Sequence, residues 1–292
     1  MSTSFASAST WLITPPRAGR FDSALRARPD VVLLDLEDSV RAESKDAARE
    51  AALAYLTARD QDGGVLTGLR INSPGTVYGL KDLTAIADSS LCDAVVLVPM
   101  VESARDIDLV SQALDAKQRR LSLWALIETP RAILRLDAVL ATPRLQGVVF
   151  GAADYAAATG CRTNTKALLW ARSALAAGAA AAGIPAIDSP YFELDNTDGL
   201  RVDAENAQTL GYAGKGAVHP DQLPVIREAF RPNDAEVAAA HAIVAAADEA
   251  GGDMTRADGH MVGPPLVAAA RALLARTAKT ARPSAPQKAA DE

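Results

Sequence analysis

Two cysteines, three histidines and aromatics at 4% leave this 292-residue chain short of raw material for several kinds of site. Cys92 and Cys161 are too few for a disulfide framework, and no CxxC or Cys/His cluster has zinc-ligand spacing. Both read as small buried hydrophobes. Neither GxGxxG nor GxxxxGKS/T occurs, so no motif for a phosphate-cradling loop is present. Basic charge is scarce too. Lys and Arg number 30 against 36 Asp and Glu, a net charge of −6, and no basic cluster offers itself to nucleic acid. The first basic residue is Arg17, so the opening residues lack the charged start of a secretory signal. The longest apolar stretch, about Ser173 to Ile187, is alanine-rich and broken by Gly178, Gly183 and Pro185, too short for a bilayer span. A soluble, cytoplasmic protein is expected.

What the chain does have is 49% hydrophobic and 23% charged residues, an ordinary globular balance at a length that builds a large core. Short runs rich in β-branched residues alternate with longer helical stretches. Strands are expected at Trp11–Thr14, Val31–Leu36, Val65–Ile71, Ala94–Pro99, Leu121–Ile127, Gly147–Gly151, Pro185–Ser189 and Gly216–His219. Helices are expected at Arg20–Arg28, Ser44–Ala58, Leu80–Ala87, Ala104–Ala116, Arg131–Leu140, Lys166–Ala182, Val202–Leu210 and Pro220–Phe230. Several strands are near-continuous apolar runs, as parallel strands buried on both faces are. A strand count of eight, each followed by a helix, is what a (β/α)8 barrel requires, whereas a doubly wound sheet needs fewer strands. The expected fold is an α/β (β/α)8 TIM barrel over residues 1–230, with a C-terminal helical extension over 231–280 as a lid or subunit contact. Residues 281–292 carry two prolines and no apolar period and are expected to be disordered.

In such a barrel the active site lies at the C-terminal strand ends, and there the acids collect. The second strand ends in Asp35-Leu36-Glu37-Asp38, the third in Arg70-Ile71-Asn72, and the fourth runs into Glu102. The fifth delivers Glu128, the sixth Asp154, the seventh Asp188 and the eighth His219. Carboxylates crowded into one mouth raise one another's pKa unless a cation lies among them, and a hard divalent ion such as Mg2+ answers that need. Plainer readings stand beside this one. Glu128 and Asp154 suit helix N-termini, Arg70 suits a rim salt bridge, and His219 before Pro220 suits a structural role. Tyr155 and Tyr191 fit either a pocket wall or the core, while Trp124 is expected in the core.

Taken in order, Leu34-Asp35-Leu36-Glu37-Asp38-Ser39-Val40, Arg70-Ile71-Asn72, Val101-Glu102-Ser103-Ala104, Ile127-Glu128-Thr129, Gly151-Ala152-Ala153-Asp154-Tyr155 and His219-Pro220-Asp221-Gln222 resemble the citrate lyase beta subunit and malyl-CoA lyase family. The resemblance runs from about residue 10 to about residue 275 and includes the spacing of the family's metal pair. It implies a Mg2+-dependent (β/α)8 lyase, usually trimeric, that cleaves a β-hydroxyacyl thioester into acetyl-CoA and a 2-oxo acid. By matched position, Glu128 and Asp154 would bind Mg2+. Glu37 and Asp38 would hold metal-bound waters or orient the site, and Arg70 would sit over the substrate oxygens. Backbone N–H groups at Gly151 and Ala152 are expected on the oxo acid's carboxylate.

The chain departs from the family pattern at three places. Members usually carry Arg-Ser before the first strand, the Arg helping to hold CoA phosphates, where this chain has Ser9 and Thr10. Many have Pro-Lys before the fourth strand's Glu-Ser, where this chain has Pro99-Met100. The family's C-terminal Asp, which handles a proton at the acetyl carbon of a neighbouring subunit's site, is matched here by Gly263. Losing a general acid or base typically costs about 10²–10⁴-fold in rate, and Asp258, His260 or Asp188 are the candidates to replace it. The leading expectation is a carbon–carbon lyase acting on a malyl-CoA or citramalyl-CoA type of ester. A thioesterase acting on a malyl-type CoA ester follows from Gly263. A non-catalytic, complex-bound citrate lyase beta-like subunit or metabolite sensor follows from the lost positive charges.

Overall fold

The computed structural model describes residues 5–280 apart from residues 18, 59–63, 116–119, 252 and 258. The expected disordered stretch 281–292 and the candidate proton donor Asp258 lie outside the described residues. The apolar runs form the parallel strands β1 (Thr10–Thr14), β2 (Val31–Asp35), β3 (Leu66–Arg70), β4 (Asp93–Val98), β5 (Arg120–Ile127), β6 (Leu145–Phe150), β7 (Ala186–Asp188) and β8 (Gly214–Ala217). They pair in sequence order and β1 closes on β8, which makes a closed parallel barrel. Helices α1 (Arg20–Arg26), α2 (Lys45–Ala58), α3 (Val77–Asp88) and α4 (Ala104–Leu114) follow the first four strands. Then come α5 (Pro130–Leu134), α6 (Leu136–Val139), α7 (Ala152–Thr159), α8 (Thr165–Ala182), α9 (Thr197–Leu210) and α10 (Leu223–Phe230). The fold is a (β/α)8 TIM barrel with a C-terminal helical part.

Alternation along each strand sorts the core into two layers. Leu33, Val95, Leu97, Leu126, Val149 and Ile187 point into the barrel, while Val32, Leu34, Val96, Ile127, Val148 and Phe150 face the helices. Below the mouth the interior is filled by Trp11 and Trp124, whose rings lie 4.4 Å apart. Trp11 Nε1 donates to Ala8 O at 2.9 Å, so its polar edge is satisfied in the core. A Cβ at Gly147 would lie 2.3 Å from the Trp124 ring, so only glycine gives the indole room. The structure places Trp124 in the core.

Some boundaries differ from the sequence reading. β8 begins two positions before the expected start because Gly214-Lys215-Gly216-Ala217 contains no apolar run. The helix expected over 131–140 breaks at Arg135 (φ −132°) into α5 and α6. α7, absent from the expected helices, starts directly after β6 and carries Asp154 in its first turn, the helix N-terminal place that its plainer reading gives it.

A buried ionic quartet ties β7 and β8 to the helices outside them. Arg172 of α8 bonds Asp188 at 2.8 and 3.1 Å and Asp203 of α9 at 2.8 Å. Lys215 Nζ meets Asp188 and Asp203 at 2.5 Å each and donates to Ser189 O at 2.7 Å. Asp188 is fully buried and both its oxygens are taken by these cations, so it is a structural anion and not the proton donor that replaces the family's C-terminal Asp.

The chain divides into two compact units, Met1–Phe230 and Arg231–Glu292. The second consists of α11 (Asp234–Glu249), the antiparallel pair β9 (Thr255–Ala257) and β10 (His260–Val262), and α12 (Pro264–Thr280). Gly263 links β10 to α12. No helix among the described residues is long and apolar enough to cross a membrane.

Candidate active site

The register that pairs β2 with β3 puts Asp35 directly opposite Arg70, and side chains opposite one another on adjacent strands share a face. The guanidinium grips this aspartate in a fork, Nε to Oδ1 at 2.7 Å and Nη2 to Oδ2 at 2.7 Å. Its remaining nitrogen, Nη1, stands 3.0 Å from Glu37 Oε2 and 3.1 Å from Asp38 Oδ2. Burial pushes the Asp35 carboxyl up, but the hydrogen bonds and charge of Arg70 outweigh it and hold Asp35 below the ordinary carboxylate range. Arg70 is raised in turn by Asp35, Glu37 and Asp38, against its own burial. The backbone N–H groups of Glu37 and Ser39 donate to Asp35 at 3.0 Å each, so Asp35 also fixes the turn that follows β2.

From behind, Lys45 at the start of α2 holds the same turn. Its Nζ donates to Leu36 O at 2.9 Å, Glu37 O at 2.8 Å and Asn72 Oδ1 at 2.5 Å. Asn72 in turn gives its backbone N–H and its side-chain amide to Asp82, each at 2.7 Å, and Arg49 Nε reaches the other Asp82 oxygen at 2.6 Å. Asn72 therefore supports the site from outside the cavity wall.

Glu128 leaves the end of β5 and is buried. The backbone of Met100 has φ 57°, a left-handed conformation uncommon outside glycine, and its N–H donates to Glu128 Oε1 at 2.8 Å. Gly151 follows β6 beside it. A Cβ there would lie 2.4 Å from Glu128 Cβ and 2.7 Å from Glu128 Oε2, so a bare backbone is the condition for Glu128 to keep its place. Burial and the negative charges of Glu37 and Asp154 push the Glu128 carboxyl up to about 9. Burial, with Asp38, Asp35 and Asp154, pushes Glu37 up to about 8, against the pull of Arg70.

These groups meet in a cavity of about 420 Å³ at the C-terminal end of the barrel. Asp35, Asp38, Arg70, Glu128, Gly151, Ala152 and Asp154 all line it, and Glu37 joins through Arg70. Glu102 instead pairs with Arg131 at 3.5 Å and is not on this wall. His219 caps the turn at Pro220–Gln222 by accepting from Asp221 N at 3.3 Å, a structural role. Ser9 and Thr10 bond Asp30 at the opposite end of β1 from the cavity-lining Ile13 and Thr14, so the charge absent at position 9 is not missing from the mouth. Tyr155 packs in the outer core beside Phe150, with ring centroids 5.8 Å apart.

The donor set is all oxygen and suits a hard divalent cation. Glu37 Oε2 is buried with an ion pair to Arg70 but no hydrogen bond, and Glu128 is pressed by neighbouring carboxylates, so the wall has more negative charge than its one arginine offsets. Among the described residues no group of three acidic, His or Cys side chains stands ready to hold an ion. Mg2+ does not ask for one, since it commonly takes one or two carboxylates, keeps several waters and completes its shell with substrate oxygens.

The HpcH/HpaI aldolase/citrate lyase family model matches residues 18–220. The L-malyl-CoA/beta-methylmalyl-CoA lyase of Rhodobacter capsulatus is 31% identical over 261 residues, covering 80% of this chain and 82% of that one. A (3S)-malyl-CoA thioesterase of Cereibacter sphaeroides is 33% identical over 257 residues, covering 85% and 86%. The crystal structure of protein CitE from Mycobacterium tuberculosis with magnesium, acetoacetate and coenzyme A superposes with a TM-score of 0.80 at 30% identity, covering 94% of this chain and 99% of that one. A barrel with this rim, matched over this length, belongs to the HpcH/HpaI aldolase/citrate lyase family.

Proposed function

We propose that this protein is a Mg2+-dependent carbon–carbon lyase that cleaves a malyl-CoA or citramalyl-CoA type of ester into acetyl-CoA and a 2-oxo acid. The observation that carries the reading is one cavity holding an arginine locked by Asp35 together with the carboxylates of Glu128 and Asp154. Glu128 and Asp154 would hold the ion, with Glu37 and Asp38 on its waters. When bound, Mg2+ supplies polarisation of the substrate hydroxyl and lowers its pKa.

In the reaction the hydroxyl gives up its proton and the carbinol carbon becomes a carbonyl. The bond to the carbon beside the thioester breaks, its electron pair becomes the enolate, and a proton returns to that carbon. Arg70 stabilises the enolate oxygen through Nη1, because its guanidinium keeps its charge while Asp35 takes the fork of Nε and Nη2. Asp35 keeps that fork aimed and prevents it from swinging with substrate. The first turn of α7 has no side-chain cap, so N–H groups following Gly151, that of Ala152 first, are free to meet the oxo acid's carboxylate. The resemblance extends to a homotrimer, which sedimentation velocity would test, and the composition to a cytoplasmic location.

The reading is tested by incubating the protein with Mg2+ and malyl-CoA or citramalyl-CoA. Glyoxylate or pyruvate should appear with acetyl-CoA, and Asp154→Ala should abolish both. A second reading, hydrolysis of the same thioesters, is favoured by Gly263, which has no side chain to return a proton to carbon, and by the malyl-CoA thioesterases among the relatives. Free CoA with an intact hydroxy acid would decide for it.

A further inference from the structure

The cavity has two unlike halves. Its charged lining comes from the ends of β2, β3, β5 and β6, namely Asp35, Asp38, Arg70, Glu128 and Asp154. The lining from the end of β1 and from the loops after β1, β7 and β8 is Ile13, Pro15, Pro190, Phe192 and Val218, with only the Thr14 hydroxyl for polarity. In the closed barrel order β7 stands across from β3, so Phe192 and Arg70 come from opposite sides of the mouth.

Phe192 is 54% exposed, yet the loop that carries it is tied down. Ser189 O accepts from Lys215 at 2.7 Å, and Tyr191 O accepts from Gln222 Nε2 at 2.7 Å. Beyond it, Asn196 Nδ2 donates to the Tyr191 hydroxyl at 3.0 Å. A fixed loop presenting an aromatic ring at a cavity mouth provides preorganised apolar area, which costs little entropy when a ligand covers it.

Charge tells the same story. Arg70 is the only cation among the described lining residues, and Asp35, Glu37 and Asp38 already surround it. A ligand carboxylate reaching the apolar half would be desolvated there with no cation opposite.

We infer that the 2-oxo acid taken by this site carries a hydrocarbon chain rather than a second carboxylate, and that Phe192 is the specificity-determining residue that packs on the chain. The inference rests on the lyase reading, because that reading seats the oxo acid's own carboxylate at the Glu128 and Asp154 side. Longer chains cover more of Phe192, and each added methylene should tighten binding about fourfold.

The test is calorimetric titration of the Mg2+-loaded protein with pyruvate, 2-oxobutyrate and 2-oxopentanoate, against oxaloacetate and 2-oxoglutarate. The expected series tightens with chain length, and the two dicarboxylates bind at least tenfold more weakly than 2-oxopentanoate. Phe192→Ala should reduce the gain per methylene to less than twofold. Phe192→Arg should reverse the order and favour the dicarboxylates. Dicarboxylates that bind wild type as well as their alkyl counterparts overturn the inference, as does a Phe192→Ala series as steep as wild type. A protein that binds Mg2+ but no 2-oxo acid overturns the lyase reading and this inference with it. A graded alkyl series without thioester cleavage supports the chain preference and removes the lyase reading alone.

Discussion

Arg70 owes its aim to Asp35. The fork between them uses both aspartate oxygens and two guanidinium nitrogens, a geometry that lysine cannot reproduce with a single ammonium. Arg70→Lys is therefore expected to lower kcat/KM for the thioester by about 10²–10³-fold, the cost of losing one oriented donor at a developing oxyanion. A steady-state assay that finds less than a tenfold loss would remove Arg70 from that role. Gly151 makes a second expectation at this scale. With Glu128 only 2.4 Å from where a Cβ would stand, Gly151→Ala must displace the glutamate, and Mg2+ affinity measured by calorimetry should fall at least tenfold while the fold persists. Sequence alone put Arg70, Glu128 and Asp154 at the barrel mouth because each ends a strand or opens the helix after one. It did not separate Asp35 from the other acids of its run, because strand register, not sequence distance, makes it the partner of Arg70. Phe192 was invisible for a related reason. A lone phenylalanine in a polar loop has no periodicity to place it on a cavity wall.

At the scale of elements, the turn after β2 is held from both sides. Asp35 accepts two of its N–H groups, and Lys45 caps the carbonyls of Leu36 and Glu37. Lys45→Met leaves these acceptors and Asn72 Oδ1 without their donor, and a polar group stranded in this way costs about 1–3 kcal/mol. The urea midpoint should fall by that equivalent, and 2-oxo acid binding should weaken further as Glu37 loses its orientation. Lys45→Arg, which keeps the charge and donors, should recover part of both. An unchanged midpoint in Lys45→Met would show the anchor to be idle. Strands with continuous apolar runs were readable from composition, because burial on both faces leaves no polar position. β8 was displaced because its lysine and glycines break that rule, and the lysine is buried only because two aspartates and a carbonyl meet it. No local pattern in the sequence reports such long-range pairing.

For the whole barrel, the quartet of Arg172, Asp188, Asp203 and Lys215 makes stability depend on acid in a stated direction. Burial pushes the Asp203 carboxyl up, but Lys215 and Arg172 outweigh burial and hold it below its ordinary value of 3.8. A carboxyl depressed in the folded state binds fewer protons there than in the unfolded chain, so its contribution is complete above that ordinary value and fades as pH falls through the folded one. The loss belongs below about pH 4. Asp203→Asn removes one partner of a buried pair network, which at neutral pH should cost about 3–5 kcal/mol. The difference between wild type and variant should then shrink as pH is lowered from 4 towards 3, because the unfolded wild-type chain takes up a proton at Asp203 there more readily than the folded one does. Urea unfolding at pH 7, 5, 4 and 3 measures this directly. A difference that stays constant down to pH 3 would mean that Asp203 is held by packing and not by charge. The consequence reaches the mouth, because Lys215 also carries the Ser189 carbonyl at the root of the loop bearing Phe192. Asp203→Asn should therefore weaken 2-oxopentanoate binding more than pyruvate binding, since only the longer chain extends onto the wall that this loop supplies.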